Sequence, residues 1–435
     1  AYLASIGVVF GPYLLSELHN GISEAVNLAP AILSMAFADR ALREGGRKNW
    51  LVLGAALALT ALGSAYYLVG TGVVLAVWAV PWLRQRPAAN ELMSAAMGLG
   101  LAALGGAIIA GAMWASIHAP DALVFRSDNA VDALKLHNAV DPRTYLAPMG
   151  FQSVDLKEQG EAFLHSGYLG WTVLALAFMG IRSTGRLDWV AAIVLSCAIG
   201  LGSHLFFNGA YVELESGARL ALPHKLLEAL LPPQAITHSL RLAMPGMVLI
   251  TVLAAAGLKR FSPRWQASIM GVVALDLLLF SGAPYPLART PELDTSAAAW
   301  ISSQPGDGLV LDLPANVGNT MATSRYAVLQ AHHGRPIPYR PDVRGSTSSL
   351  LGVPAFLPLV LASEHRPEHR SGLEGALQQA AALEPGGLAM RGVQFIVLHR
   401  DLERGHEGTK ELEAQLTEWF SAPREFGEQR VWTLP

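Results

Sequence analysis

Long apolar runs, separated by short polar turns, fill the chain from its start to about residue 281. A helix that crosses the hydrocarbon core of a bilayer needs roughly 20 mostly apolar residues. The pattern predicts eight spans and a ninth run, at 2–18, 23–37, 50–69, 70–83, 93–117, 167–181, 187–207, 241–258 and 267–281. Because the second and fourth runs are short, one of them could be re-entrant or broken. We therefore expect a polytopic α-helical bundle of eight or nine spans over residues 1–282.

Lys and Arg residues in the short turns predict the orientation of these spans. Basic turns occur around Arg43, Arg84, Arg186 and Arg260, whereas the turns at 19–22 and 69–72 have neither residue. Turns rich in Lys and Arg stay on the cytoplasmic side. Nine spans satisfy this rule without conflict. Three segments are then predicted to face outward, at 119–166, 208–240 and from 283 to the end.

The chain becomes soluble in composition after residue 282. Apolar stretches at 309–313, 392–399 and 430–434 predict strands, and amphipathic stretches at 294–304, 320–332 and 408–420 predict helices. Strands that alternate with helices favour an α/β domain. The predicted architecture is thus a membrane bundle followed by a small extracytoplasmic α/β domain over residues 283–435.

The composition agrees with a membrane protein. Hydrophobic residues make up 52% of the chain and charged residues 15%, with a mean hydropathy of +0.34, whereas soluble proteins carry about 25% charged residues. The net charge of −3 gives no indication of a nucleic-acid partner. Cys197 is the single cysteine, which excludes a disulfide within the chain. Since the chain starts at Ala1 within an apolar run, we expect it to be the C-terminal part of a longer protein.

Small and aromatic residues predict how the helices pack. Gly98, Gly100, Gly105 and Gly106 recur in one apolar run and suit close helix contacts. Tryptophans near the predicted span ends are typical of interfacial anchors; they are Trp50, Trp78, Trp82, Trp114, Trp171 and Trp189.

Ionisable residues at the outward span ends are the candidate binding residues, because charge at membrane depth is costly. If the helices form one bundle, these side chains converge on one outward cavity that could bind an anionic headgroup. The candidates are Glu17, His19, Glu24, Tyr67, His165, His238 and Arg241. The alternative is that polar residues collect at span ends simply because water reaches them there. Arg241 is the most specific candidate, since an Arg at an outer boundary departs from the positive-inside trend.

The C-terminal domain has no sequence motif that indicates catalysis. It lacks a phosphate-binding loop, a HExxH zinc motif and a GxSxG nucleophile motif. The pairs His332–His333 and His365–His369 resemble metal ligands. For His365–His369, which lie in a charged stretch, a solvated helix end is the favoured interpretation, since a metal site needs further ligands placed by the fold. We therefore predict no metal site from the sequence.

Three stretches resemble the C-terminal half of GT-C superfamily glycosyltransferases, multi-spanning enzymes that take sugar from a polyprenyl-phosphate donor. They include the residues FGPYLL at 10–15 with HNG at 19–21, LPHKLL at 222–227 with LRLAMP at 240–245, and GLVLDLP at 308–314. The resemblance implies sugar transfer on the outer face of a bacterial inner membrane. It also implies a catalytic Asp in a first outward loop, which would precede Ala1. The catalytic residues are therefore unassigned, and a divalent metal, which some relatives use, stays open as a cofactor.

Two functions of different classes follow. The first is a transferase, or part of one, with membrane lipids and a polyprenyl-phosphate-linked sugar as partners. The second is a non-catalytic membrane scaffold, or an accessory subunit of a larger membrane complex. A transporter is disfavoured, since no inverted repeat or matched pair of broken helices is evident in the sequence.

Overall fold

The structure is a computed structural model, and it is mostly helical. It describes residues 2–9, 11–19, 27–117, 135, 138–148, 166–231, 236–281, 292–314, 320–338, 359, 386–402 and 408–434. Two compact units divide the chain, Ala1–Arg289 and Thr290–Pro435. The predicted boundary was placed at residues 282 and 283.

The first unit is a helical bundle with one small hairpin. Its helices are α1 (Tyr2–Val9), α2 (Pro12–His19), α3 (Ala29–Glu44), α4 (Arg47–Gly63), α5 (Ala65–Arg84), α6 (Ala89–Ile117), α7 (Trp171–Thr184), α8 (Leu187–Gly200), α9 (His224–Glu228), α10 (Ser239–Leu258) and α11 (Pro263–Leu279). A 3-10 turn spans Pro142–Tyr145, and the hairpin strands are β1 (Phe206–Phe207) and β2 (Ala210–Tyr211).

Helix α10 is the centre of this bundle. It packs against α1, α5, α7 and α8, and almost all of its side chains are buried. Helix α6 differs, since 11% of its apolar window is buried. A helix that is apolar all round belongs in a large core or in a membrane. The bundle thus surrounds one apolar helix with others that expose apolar side chains.

Three described helices are long and apolar enough to cross a membrane: Ala65–Arg84, Ala89–Ala112 and Ser239–Leu258. Leu187–Gly200 is apolar but shorter. These helices support membrane association. The predicted number of eight or nine spans is not established by them and stays a prediction.

Several predicted span boundaries differ from the structure. The run at 187–207 is helical only over Leu187–Gly200 and ends in strand β1, since Gly202 adopts a φ of 95° that a helix does not allow. The run at 23–37 corresponds to the helix Ala29–Glu44. The run at 2–18 is not one helix, since α1 ends at Val9 and α2 begins at Pro12, a residue suited to the first turn of a helix. The turn predicted at 69–72 lies instead at Ser64, whose extended backbone separates α4 from α5. Helices commonly kink at Gly–Ser pairs, and Gly63 precedes this serine. Apolarity could not locate either break, because the flanking residues on both sides are apolar.

Glycines set the closest helix contacts. A Cβ added at Gly98 of α6 would lie 2.2 Å from the Trp50 carbonyl oxygen of α4, and one at Gly105 would lie 2.6 Å from the Ala58 Cβ. Gly100 and Gly106 of the same run have nothing within 4 Å. Gly98 and Gly105 thus belong to the helix contact, whereas Gly100 and Gly106 do not.

Tryptophans near the helix ends pack partly inside the bundle. Trp50 and Trp78 are buried, and the Trp78 ring stacks on that of Trp189 at 5.5 Å between centroids. The interfacial-anchor prediction is therefore wrong for Trp50 and Trp78. Their neighbours on adjacent helices cover them, which the position of a residue in its own run does not reveal.

An ion pair joins two of the basic turns at one end of the bundle. The Arg186 guanidinium, before α8, lies 3.0 Å from the Asp39 carboxylate of α3. Arg43 also pairs with Asp39. The turns after α3 and after α7 therefore share one end, as the alternation of basic turns predicted.

The second unit is a small α/β domain with a four-stranded sheet in the order β3–β4–β6–β5. The strands are β3 (Leu309–Leu313), β4 (Val393–His399), β5 (Arg424–Phe426) and β6 (Gln429–Thr433), and the helices are α12 (Ser296–Ser303), α13 (Thr320–His333), α14 (Gly386–Met390) and α15 (Gly408–Phe420). Strands β3 and β4 are parallel, and the other pairs are antiparallel. The elements predicted from periodicity occur within a few residues of their predicted positions. Strand β5, with its mostly exposed side chains, was missed.

Candidate functional site

A buried ion pair lies near the first turn of the central helix. The Arg241 guanidinium is 3.4 Å from the Glu17 carboxylate of α2, and 6% and 2% of these residues are exposed. A buried charge is costly unless an opposite charge compensates it. Folding thus brings together two of the candidates from opposite ends of the bundle sequence.

Aromatic and hydroxyl side chains surround Arg241. Its guanidinium carbon lies 5.4 Å from the Tyr66 ring centroid, within the range of a cation–π interaction. The Tyr66 hydroxyl is 3.2 Å from His238 Nδ1 and 3.4 Å from the Thr237 hydroxyl. His238 therefore belongs to the same cluster as the ion pair.

The remaining candidates divide into two groups. Tyr67 is buried and packs in the bundle core; the sequence did not distinguish it from its neighbour Tyr66, which contacts Arg241. Glu24 and His165 lie outside the described residues, as does the side chain of His19. The structure thus brings Glu17, His238 and Arg241 together, with Tyr67 behind them.

A cavity of about 440 Å³ adjoins this cluster. The chain that forms it leaves α8 at Gly200 and enters the β1–β2 hairpin. Asn208 and Gly209 form the hairpin turn with φ of 52° and 87°, as an Asn-Gly type I′ turn requires. The chain then passes through α9 to Thr237 and Ser239. Both residues line the cavity, and Ser239 is the first residue of α10. Thr237 therefore connects the cavity to the Tyr66–His238 contacts.

Positive charge dominates the cavity lining. Lys135, Arg219 and Lys225 face one carboxylate, Glu228, among the described lining residues, which gives a net charge of +2 with neutral imidazoles. The Arg219 guanidinium lies over the Tyr211 ring at 4.4 Å. In the described part of the chain no ion pair joins Arg219 to a carboxylate. Such a lining suits an anion, because its net positive charge attracts negatively charged ligands.

Glu228 holds the cationic side chains of the cavity together. Its two carboxylate oxygens lie 2.7 Å from Lys135 Nζ and 2.7 Å from Lys225 Nζ, and Ser203 Oγ donates to it. Burial opposes ionisation of Glu228, but these hydrogen bonds outweigh it and lower its pKa to about 2. Glu228 is therefore a carboxylate throughout the physiological range.

Two histidines of the cavity favour the neutral form. Burial, reinforced by the charges of Lys225 and Arg219, lowers the pKa of His204. Burial also lowers the pKa of His224, against the opposing charge of Glu228. The Ser203 hydroxyl lies 3.2 Å from His224 Nδ1. Both imidazoles can thus act as neutral hydrogen-bonding groups near pH 7.

The sequence prediction missed most of the cavity lining. Lys135, Arg219, Lys225 and Glu228 lie in predicted outward segments, where charged side chains are ordinary. A Lys-x-x-Glu pair at 225–228 was the available signal, and it commonly indicates an exposed helix face. The cavity is recognised because Lys135 lies next to Lys225 and Glu228. This contact joins distant parts of the sequence, so no local pattern predicts it.

Asp276 is a further missed residue, within the ninth apolar run. Its carboxylate accepts hydrogen bonds from the Tyr168 hydroxyl and the Thr172 backbone N–H, both at 2.8 Å. The second bond satisfies a free N–H in the first turn of α7. The role of Asp276 is therefore to fix the start of α7, and its signal was a lone acid in an apolar run.

A buried His–Asp pair lies among the described residues of the second unit. His399 Nε2 lies 2.7 Å from Asp312 Oδ1 at the ends of the parallel strands, and the Tyr326 ring stacks on His399. His333, considered as a metal ligand, is buried and accepts a hydrogen bond from the Arg335 backbone N–H. His365 and His369 lie outside the described residues. No group of three or more potential ligands able to hold a metal ion occurs among the described residues.

In comparisons with known proteins, no protein-family model, curated protein or solved structure matches this chain.

Proposed function

We propose that this chain is a GT-C-like integral membrane glycosyltransferase, or the C-terminal part of one. It transfers a sugar from a lipid-phosphate donor on the outer face of the inner membrane, where its α/β domain also lies. The observation that carries this proposal is the cationic cavity beside the buried Glu17–Arg241 pair, at the start of an apolar central helix. A donor with a lipid tail and a phosphate needs apolar surface and positive charge at one boundary.

The described residues would share the work of binding this donor. The cavity cations Lys135, Arg219 and Lys225 would neutralise the phosphate, since Lys and Arg form strong charge-assisted hydrogen bonds with it. Arg241 would hold the wall between the cavity and the bundle through Glu17 and Tyr66. The volume of about 440 Å³ falls in the range of small-molecule sites. The base that activates the acceptor is not assigned to a described residue.

Binding of polyprenyl monophosphate to the purified full chain in neutral-lipid nanodiscs tests the proposal. We expect saturable binding, weakened about tenfold or more by Arg241→Ala, because the variant loses the charged contacts with Glu17 and Tyr66 that hold the cavity wall, worth about 1.5–3 kcal/mol. Arg182→Ala is the matched control, since that exposed arginine lies in the last turn of α7 and outside the cavity lining. Lys225→Gln, at a half-exposed position, provides a second variant if Arg241→Ala does not fold.

The outcome separates the two hypotheses of different class. Donor binding that Arg241→Ala and Lys225→Gln both leave unchanged would remove the cavity from the function. Failure to bind any polyprenyl phosphate, together with stoichiometric partner proteins after gentle detergent extraction, would favour the scaffold.

A further inference from the structure

The cationic cavity already contains one anion, the Glu228 side chain. Its carboxylate is 6% exposed and bridges Lys135 and Lys225, each at 2.7 Å. A carboxylate that bridges two ammonium groups occupies the position that a phosphate would take. We propose that Glu228 is an internal counter-ion of a phosphate site, and that a phosphate group binds by taking Lys135 and Lys225 from it.

Charge and shape favour phosphate over a monoanion. With Glu228 in place the described lining residues keep a net charge of +2 with neutral imidazoles, which matches a phosphate dianion. Arg219 provides a guanidinium, and the Ser203 hydroxyl, which donates to Glu228 in this structure, would turn to the phosphate together with the two lysines. The volume of about 440 Å³ leaves room beyond one phosphate, so the ligand class is a phosphate ester with a sugar-sized body.

Glu228 gives this site selectivity. A monoanion competes poorly with Glu228 for the two lysines. The Glu228 carboxylate is already ordered by folding, whereas a free monoanion loses translational and rotational entropy when it binds. A dianion gains about twice the Coulomb energy at the same distances. The bridging carboxylate therefore rejects monoanions and lowers the affinity for phosphate to a reversible range.

This inference deepens the proposed function, because it concerns the same cavity. Its test, however, uses inorganic phosphate and requires neither a lipid donor nor sugar transfer. A chain that binds phosphate as described but transfers no sugar would overturn the proposed function and leave this inference standing.

The experiment is isothermal titration of the full chain, in phosphatidylcholine nanodiscs, with inorganic phosphate and with acetate as the monoanion. Glu228→Gln removes one negative charge from the cavity and should tighten phosphate binding about tenfold. The same substitution should raise acetate binding to a measurable level. Glu215→Gln is the matched control, since Glu215 is an exposed carboxylate of the same segment that does not line the cavity.

A second variant keeps the test decisive if Glu228→Gln does not fold. Arg219→Gln lies at an exposed position and should weaken phosphate binding about tenfold, because it removes a charged contact. Equal phosphate affinity of Glu228→Gln and Glu215→Gln, or of Arg219→Gln and the unmodified chain, would overturn the proposal.

Two further arms identify the source of the phosphate. Phosphatidic acid in the nanodisc should compete with inorganic phosphate if the natural ligand is a lipid headgroup. Competition by glucose 1-phosphate without competition by phosphatidic acid would assign a water-soluble phosphate ester. Absence of phosphate binding in every arm would overturn the site itself.

Discussion

The Glu17–Arg241 pair offers the most direct test of how the bundle is held together. Both residues are almost fully buried, and their charged atoms are 3.4 Å apart. Two unit charges at that distance attract by about 5 kcal/mol at an effective dielectric constant of about 20. Desolvation offsets part of this attraction, and the separation exceeds the 2.7–2.9 Å or so of the strongest charged hydrogen bonds.

We expect Glu17→Gln and Arg241→Met each to lower the free energy of unfolding by about 3 kcal/mol, since each removes one charge of a buried ion pair. The double variant removes both charges. The decrease in the free energy of unfolding of the double variant should be smaller than the sum of the two single decreases by more than about 1 kcal/mol. A coupling of this size is typical of residues in contact.

Unfolding of the full chain in mixed micelles of increasing SDS content, followed by helical circular dichroism, measures these differences. Arg182→Met is the control, because Arg182 is an exposed residue in a basic turn, and surface substitutions stay within about 0.5 kcal/mol. Additive losses of the two single variants would refute the reasoning, since they would show that the two charges do not stabilise each other.

Three further predictions concern the helix contact, the cavity and the C-terminal domain. Gly98→Ala should destabilise the bundle by about 1–3 kcal/mol through overpacking, whereas Gly100→Ala should not, measured by the same SDS unfolding. His224 has a lowered pKa, so the folded cavity favours its neutral form; stability should be complete above pH about 6.5 and fall as the pH drops below it. Hydrogen exchange of segment 203–228, corrected for intrinsic rates, should show this loss, and His224→Gln should reduce it; the double variant His204→Gln/His224→Gln should abolish it, because the pKa of His204 is also lowered. Asp312→Ala should lower amide protection in Leu309–Leu313 by about 2–4 kcal/mol, because it leaves the buried imidazole at the end of β4 without its acceptor. Protection that falls equally in Asp307→Ala, at an exposed turn residue, would contradict this.

Local patterns predicted most element types of this protein, but not the β1–β2 hairpin, whose first strand lies inside the apolar run 187–207. The apolar runs predicted helices, and the short apolar stretches after residue 282 predicted the strands β3, β4 and β6. These predictions succeed because the spacing of apolar residues reflects which face of an element is buried. Strand β5 was missed since its exposed side chains have no such period.

Helix boundaries within apolar sequence depended on tertiary packing. Gly70 was predicted to lie in a turn, yet it lies inside α5, where a Cβ would be 2.5 Å from the Leu242 carbonyl oxygen of α10. The same residue type thus marks a turn in one context and a close helix contact in another. Only the neighbouring helix distinguishes the two.

The sequence by itself determined that the chain is rich in apolar helices, carries a separate α/β domain, and places rare ionisable residues such as Glu17 and Arg241 next to apolar runs. Only the tertiary structure decided that these two form a pair, and that Lys135 meets Lys225 across Glu228. The physical reason is that burial and helix formation are local preferences repeated along the chain. A binding site instead requires side chains from distant segments to meet, and helix packing determines which of them do.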